Sequence, residues 1–187
     1  MKVSNWAMAI AMVIAATASA NAQSRAMGSF GGYFTPFLGV TAGGAVTEPR
    51  LTFGASVAVQ EQDGWGAELD VAHAGDVEAG SVVLDATTYM VNASWVRPAG
   101  LIRPFATAGA GVIQLDGCNA CNRPSRTYDL GWTAGAGVFA LASEFLAVRG
   151  DARYFFTSAD HFDLQRPDNV SFWRVSVGVS LMWVMLP

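Results

Sequence analysis

Large apolar side chains alternate with small or polar ones along most of this chain, most cleanly near its C-terminal end. Trp173, Val175, Val177, Val179, Leu181 and Trp183 share one parity, while Arg174, Ser176, Gly178 and Ser180 share the other. Successive strand side chains point to opposite faces, so this segment predicts a strand with one apolar face and one polar face. The same reading along the chain predicts eight strands, at about 30–41, 51–60, 65–75, 87–96, 104–114, 130–140, 145–156 and 172–184. Each is roughly 9–13 residues long, near the length a tilted strand needs to cross a bilayer. The links near 61–64, 97–103 and 141–144 are short, whereas 42–50, 76–86, 115–129 and 157–171 are expected to be longer polar loops. Short turns at one end and long loops at the other predict an all-β fold: an eight-stranded antiparallel up-and-down transmembrane β-barrel with both termini periplasmic.

Parity agrees from strand to strand. Leu51, Phe53, Ala55, Val57 and Val59 oppose Thr52, Gly54, Ser56 and Gln60, and Trp65, Ala67, Leu69 and Val71 oppose Glu68 and Asp70. The first strand is ambiguous, because Tyr33, Phe34, Pro36 and Phe37 do not sort, and Pro36 removes a ladder donor. Six in-strand charges fall on the small-residue parity: Glu68, Asp70, Arg149, Asp151, Arg153 and Arg174. A basic residue facing mid-bilayer lipid costs about 2–4 kcal/mol and an acid somewhat less, so turning all six outward would cost on the order of 10–20 kcal/mol. That is comparable with the stability of a whole domain. They are therefore expected to face inward, three acids against three arginines, as a structural ion-pair network that closes the lumen. Eight strands enclose a space that side chains just fill.

Composition narrows the setting. The chain is 52% apolar and only 14% charged, with 20 glycines, and its one lysine is Lys2. A water-facing β-protein covers its exterior and edges with lysine and glutamate, so the composition argues against a soluble lipocalin-like barrel. Residues 1–22 read as a cleavable signal peptide. Lys2 supplies the positive start, Trp6–Ala18 the apolar run and Ala20-Asn21-Ala22 the small-x-small cut, leaving 23–187 as the barrel domain. The formal charge of −4 becomes −5 without Lys2, and with no basic patch the chain is not expected to bind nucleic acid. Bulky aromatics sort by height along the strands. Trp65, Trp95, Phe105 and Trp183 lie near the short turns, and Tyr89, Trp132, Tyr154, Phe156 and Trp173 near the long loops. Two such belts are expected to sit at the two membrane interfaces.

Three segments carry a family resemblance: Arg103-Pro104-Phe105-Ala106-Thr107-Ala108-Gly109-Ala110-Gly111-Val112, Gly131-Trp132-Thr133-Ala134-Gly135-Ala136-Gly137-Val138 and Val148-Arg149-Gly150-Asp151-Ala152-Arg153-Tyr154. They resemble strands five to seven of the small OmpA-type outer-membrane β-barrel domains of Gram-negative bacteria. The resemblance implies an eight-stranded barrel in the outer membrane with no shared catalytic residue. Two departures stand out. The chain is expected to lack the peptidoglycan-binding domain of full-length members. It also ends in Met185-Leu186-Pro187, where members usually finish on an aromatic residue.

Candidate chemistry is sparse. Cys118 and Cys121 form a C-x-x-C in the third long loop. In an exported protein this reads as a loop disulfide, with a free or redox-active pair and a metal pair as alternatives. A zinc site would need two further ligands. His73 is flanked by Ala72 and Ala74, so the His–Ser pairing of the outer-membrane lipid A deacylases is expected to be absent. His161 lies among Asp160, Asp163 and Asp168 in the fourth loop and reads as solvated. Neither a metal, a cofactor nor a catalytic residue is expected. The reading is a non-enzymatic outer-membrane protein whose closed barrel anchors four surface loops for envelope integrity or surface recognition. Its expected partners are outer-membrane lipid, lipopolysaccharide and the barrel assembly machinery. A lipid A-modifying enzyme and a narrow small-solute channel are the alternatives.

Overall fold

The computed structural model describes residues 30–44, 46–79, 82–119, 123–157 and 170–185. Eight strands follow one another in order: β1 (Phe30–Gly43), β2 (Val46–Gln60), β3 (Trp65–Ala79), β4 (Val82–Val96), β5 (Ile102–Asn119), β6 (Arg123–Leu141), β7 (Leu146–Thr157) and β8 (Ser171–Met185). Each pairs antiparallel with the next, and β8 pairs with β1 to close the barrel. The candidate signal peptide, residues 1–22, lies outside the described residues.

The closure has a measurable stagger. Stepping through paired residues from Gly39 by way of Thr52, Ala74, Ala86 and Leu115 reaches Thr127 on β6. Stepping the other way, by way of Ser176 and Asp151, reaches Gly137, ten residues further along the same strand. With eight strands about 4.8 Å apart and a rise of about 3.3 Å per residue, that offset tilts the strands by about 40° from the barrel axis. A row of paired residues therefore climbs the wall as it passes from strand to strand.

The strands are longer than the alternation alone indicates, and this corrects the expected loops. Residues expected at 42–50, 76–86 and 115–129 lie mostly in the outer parts of β1–β6. Gly43 and Gly44, with φ of 76° and 64°, reverse the chain between β1 and β2. That conformation costs glycine nothing and other residues a good deal. Beyond the bilayer a strand is no longer required to alternate grease with polarity, so these hairpin ends carry no periodic signal. The segment 158–169 of the expected fourth loop lies outside the described residues, as does Cys121, so the expected Cys118–Cys121 bridge is not described.

β1 resolves its ambiguity through closure. Tyr33, Thr35, Phe37 and Thr41 are buried in the barrel, while Phe34, Leu38 and Val40 face out. The β1–β8 ladder runs from Phe34 opposite Leu181 directly to Phe37 opposite Gly178, skipping the stretch around Pro36, which has no N–H to give. On every strand the parity that carries Leu51, Val91, Val138, Val148, Val175 or Val177 is exposed, and the other lines the lumen.

Candidate functional site in the closed lumen

The lumen is filled in three layers. Nearest the turns at 61–64, 97–101 and 142–145, Tyr33, Ala58, Val96, Phe105, Phe139 and Ala147 pack together. At the opposite end Val46, Ala74, Ala86, Met90, Ile113, Phe155 and Phe172 form a second apolar layer. Glu68, Asp70, Arg149, Asp151, Arg153 and Arg174 lie between them, all buried.

Glu68 is the hub. It sits 2.7 Å from Arg149 Nη1 and 2.7 Å from Arg153 Nη2, and accepts hydrogen bonds from Tyr33 Oη at 2.7 Å and Asn92 Nδ2 at 3.4 Å. Asp151 accepts from Arg149 Nε at 2.9 Å, Arg153 Nε at 3.3 Å and Ser176 Oγ at 2.9 Å. Arg174 Nη2 donates to both Asp70 oxygens at 2.8 Å, and Arg153 Nη1 stands 3.5 Å from Asp70. Arg149 also donates to Ser56 Oγ at 3.0 Å. Six strands, β1, β2, β3, β4, β7 and β8, thus meet across the lumen through charged hydrogen bonds, the strong kind.

Fifteen guanidinium N–H bonds outnumber what three carboxylates can accept. Aromatic faces cover two of the three guanidinium groups. The Arg149 guanidinium carbon lies 4.5 Å from the Phe105 ring centroid and 5.3 Å from those of Tyr33 and Phe139. Arg174 lies 4.7 Å from Phe37 and 5.0 Å from Phe155. A ring face attracts a cation most strongly where water is excluded. Sequence parity grouped the six charges but missed these rings and the polar partners Tyr33, Ser56, Asn92 and Ser176.

Phe105 needs correction. It was expected in the aromatic belt near the turns, but it is 3% exposed and lies inside, on the parity of Thr107. Its size suggested a membrane anchor, whereas its alternation places it under Arg149. The other belt residues face out. Trp65 and Trp95 are cross-strand partners, and Tyr89, Trp132 and Trp173 are exposed. Tyr154 packs against Trp173 at 5.1 Å and Phe156 at 6.1 Å. Trp183 is half-buried, its ring over Gly32, where an added Cβ would come within 2.7 Å of two indole carbons.

Below the aromatic layer a vestibule of about 700 Å³ opens at the turn end, lined by Gln60, Glu61, Arg97, Arg103 and Glu144, with Tyr33 and Phe139 at its inner end. Above the ion pairs there is a void of about 10 Å³ beside Thr88 and Arg174, room for about one water. Among the described residues no group of three or more His, Cys, Asp or Glu could hold a metal ion. His73 has a hydroxyl partner that its own strand does not supply: Thr87 Oγ1, across the β3–β4 ladder, 3.0 Å from Nδ1. His161 lies outside the described residues.

A family model, described as the outer membrane protein beta-barrel domain, matches residues 7–182. The chain belongs to that family. No curated protein matches it in sequence. Among solved structures it is similar to neisserial surface protein A, at 12% identity with a TM-score of 0.61, covering 83% of this chain and 99% of that one. It is also similar to the N-terminal β-barrel domain of Pseudomonas aeruginosa OprF, at 16% identity and TM-score 0.58, covering 84% and 100%. A third is Ail, the attachment invasion locus protein of Yersinia pestis, solved with a heparin analogue, at 14% identity, TM-score 0.56 and coverage of 84% and 100%. These likenesses are of fold. The barrel wall separates the buried lumen charges from the exposed apolar band outside.

One consequence concerns the hub. Tyr33→Phe keeps the ring under Arg149 and removes only the hydrogen bond to Glu68. A bond to a charged partner is worth about 1.5–3 kcal/mol, so the variant's urea midpoint, read by tryptophan fluorescence in lipid vesicles, is expected to fall by that equivalent. An unchanged midpoint would mean that the phenol does not hold Glu68.

Proposed function

We propose that the protein is a non-enzymatic outer-membrane anchor: a barrel with a sealed lumen that presents its long hairpin ends at the cell surface. In this reading residues 1–22 are removed on export, the turns at 61–64, 97–101 and 142–145 face the periplasm together with both termini, and the assembly machinery inserts the barrel among lipopolysaccharide. The hairpin ends serve envelope integrity or surface recognition, because segments held on a rigid scaffold carry variable function. The observation that carries this reading is the stacked filling of the lumen, with buried ion pairs between two aromatic layers.

A sealed lumen makes a direct electrical prediction. Purified protein in a planar bilayer is expected to give no steady conductance, and steady single-channel steps would replace the anchor with the channel reading. Mass spectrometry of lipid A from cells with and without the protein is expected to give the same species. A lost acyl chain would instead identify a deacylase.

A further inference from the structure

Five paired residues form one unbroken row on the outside of the wall: Phe53 on β2, His73 on β3, Thr87 on β4, Gln114 on β5 and Tyr128 on β6, each directly opposite the next. All five stand on the outward parity. The ring of Phe53 lies 5.3 Å from that of His73, and His73 Nδ1 is 3.0 Å from Thr87 Oγ1. Gln114 Nε2 donates to Asp116 Oδ2 at 2.5 Å, which leaves the amide oxygen of Gln114 turned to another donor. Phe53 and Tyr128, at the two ends, are more than half exposed.

The row is also a ramp. Each step to the next strand rises by about 3 Å for a tilt near 40° and a spacing of about 4.8 Å. From Phe53 at the level of the Tyr89 belt, the row ends about 12 Å further out at Tyr128. One step toward the membrane centre the matching row is Ala55, Val71, Tyr89, Val112 and Leu130, nearly all apolar. On β7, β8 and β1 the outward positions near this belt are Phe156, Tyr154, Trp173 and Val40. Of these four, Tyr154 and Trp173 carry one polar group each at the edge of a ring, whereas β3, β4 and β5 set His73, Thr87 and Gln114 side by side where the apolar band ends.

We propose that this row binds the sugar portion of outer-leaflet lipopolysaccharide, a proposal that rests on the outward orientation of the hairpin ends given above. A sugar ring presents an apolar C–H face and a rim of hydroxyls. Phe53 and Tyr128 offer ring faces to the first, and His73, Thr87 and Gln114 offer donors and acceptors to the second. Asp85 and Asp116 are cross-strand partners on the same outer face. Carboxylates bind hydroxyls strongly and repel phosphates, so the contact favours the hydroxyl-bearing core sugars over the phosphorylated part of the glycolipid.

The test uses the full barrel folded into phospholipid vesicles containing either lipid A, whose sugar is limited to its own phosphorylated disaccharide, or purified rough lipopolysaccharide with its inner-core sugars, and compares thermal midpoints from heat-modifiability on gels. Rough lipopolysaccharide is expected to raise the midpoint above lipid A. Thr87→Val with Gln114→Leu is expected to lose that whole difference while unfolding at the wild-type temperature in phospholipid alone. Equal midpoints for the two glycolipids, or a difference that the double variant keeps, overturns the proposal. Orientation is read separately, by labelling Glu48→Cys on intact cells with an impermeant maleimide in a Cys118→Ser, Cys121→Ser background. An unlabelled Glu48→Cys chain overturns the orientation and this proposal together. A labelled chain with equal midpoints overturns this proposal alone.

Discussion

Glu68→Ala is expected to destabilise the barrel by about 3–5 kcal/mol, the usual cost of removing one partner from a buried ion pair. The size follows from what remains. Arg149 and Arg153 each lose their 2.7 Å partner, Tyr33 loses its acceptor, and neither guanidinium can reach water through the aromatic layers above and below. Both would crowd onto Asp151, which already accepts from their Nε atoms. The converse experiment separates the pair from the space it fills. A quadruple variant, Glu68→Leu and Asp151→Asn with Arg149→Met and Arg153→Met, removes both arginines together with the two carboxylates nearest them, keeps the Asp70–Arg174 pair, and is expected to recover most of the loss, since buried ion pairs replaced by uncharged groups of similar volume are often neutral or stabilising. Urea titration of vesicle-folded protein gives both numbers. A loss below about 1 kcal/mol for Glu68→Ala would mean that water enters the lumen and solvates the arginines.

How far such a network can be read from sequence depends on the kind of contact. Arg149, Asp151 and Arg153 alternate along β7, so their common direction follows from the period of a strand, and the cost of lipid exposure fixes which direction that is. Their partners do not follow. Glu68 is 81 residues from Arg149 in sequence, and the two meet because closing the barrel with a ten-residue stagger brings β3 opposite β7 across the lumen. The register of the β3–β4 hairpin, shifted between Ala74 and Val77, places Thr87 beside His73, a hydroxyl that a search of the neighbouring sequence positions cannot find. Phe105, Phe139, Phe155 and Phe172 were legible in principle, because each shares parity with an inward small or charged residue. The bulk of Phe105 pointed to a membrane belt, whereas the lumen needs large rings wherever the ion pairs end. The hairpin ends beyond the bilayer were illegible for a simpler reason: no apolar medium forces their side chains to alternate.

The wall offers an equally large effect from the other side. Val177→Arg is expected to cost about 2–4 kcal/mol in vesicles, with Val177→Asp costing less. Val177 lies in the apolar band of β8, well exposed, between Leu38 on β1 and Gly150 on β7. Gly150 has nothing within 4 Å of where its Cβ would be, so that side of the wall gives an arginine no cover. Nor can the side chain reach an interface easily. Trp173 is four residues away toward one belt, about 13 Å along the strand, and Trp183 is six residues away toward the other. The neighbouring position supplies the control. Ser176 points inward and donates to Asp151, so Ser176→Ala removes one charged hydrogen bond and is expected to cost about 1.5–3 kcal/mol whether the barrel is held in lipid or in detergent. The Val177→Arg penalty belongs to the hydrocarbon and should shrink in micelles, where water and headgroups approach the band more closely. A Val177→Arg barrel that unfolds at the wild-type urea concentration in vesicles would place the valine face of β8 away from lipid, and would turn the charged parity outward with it.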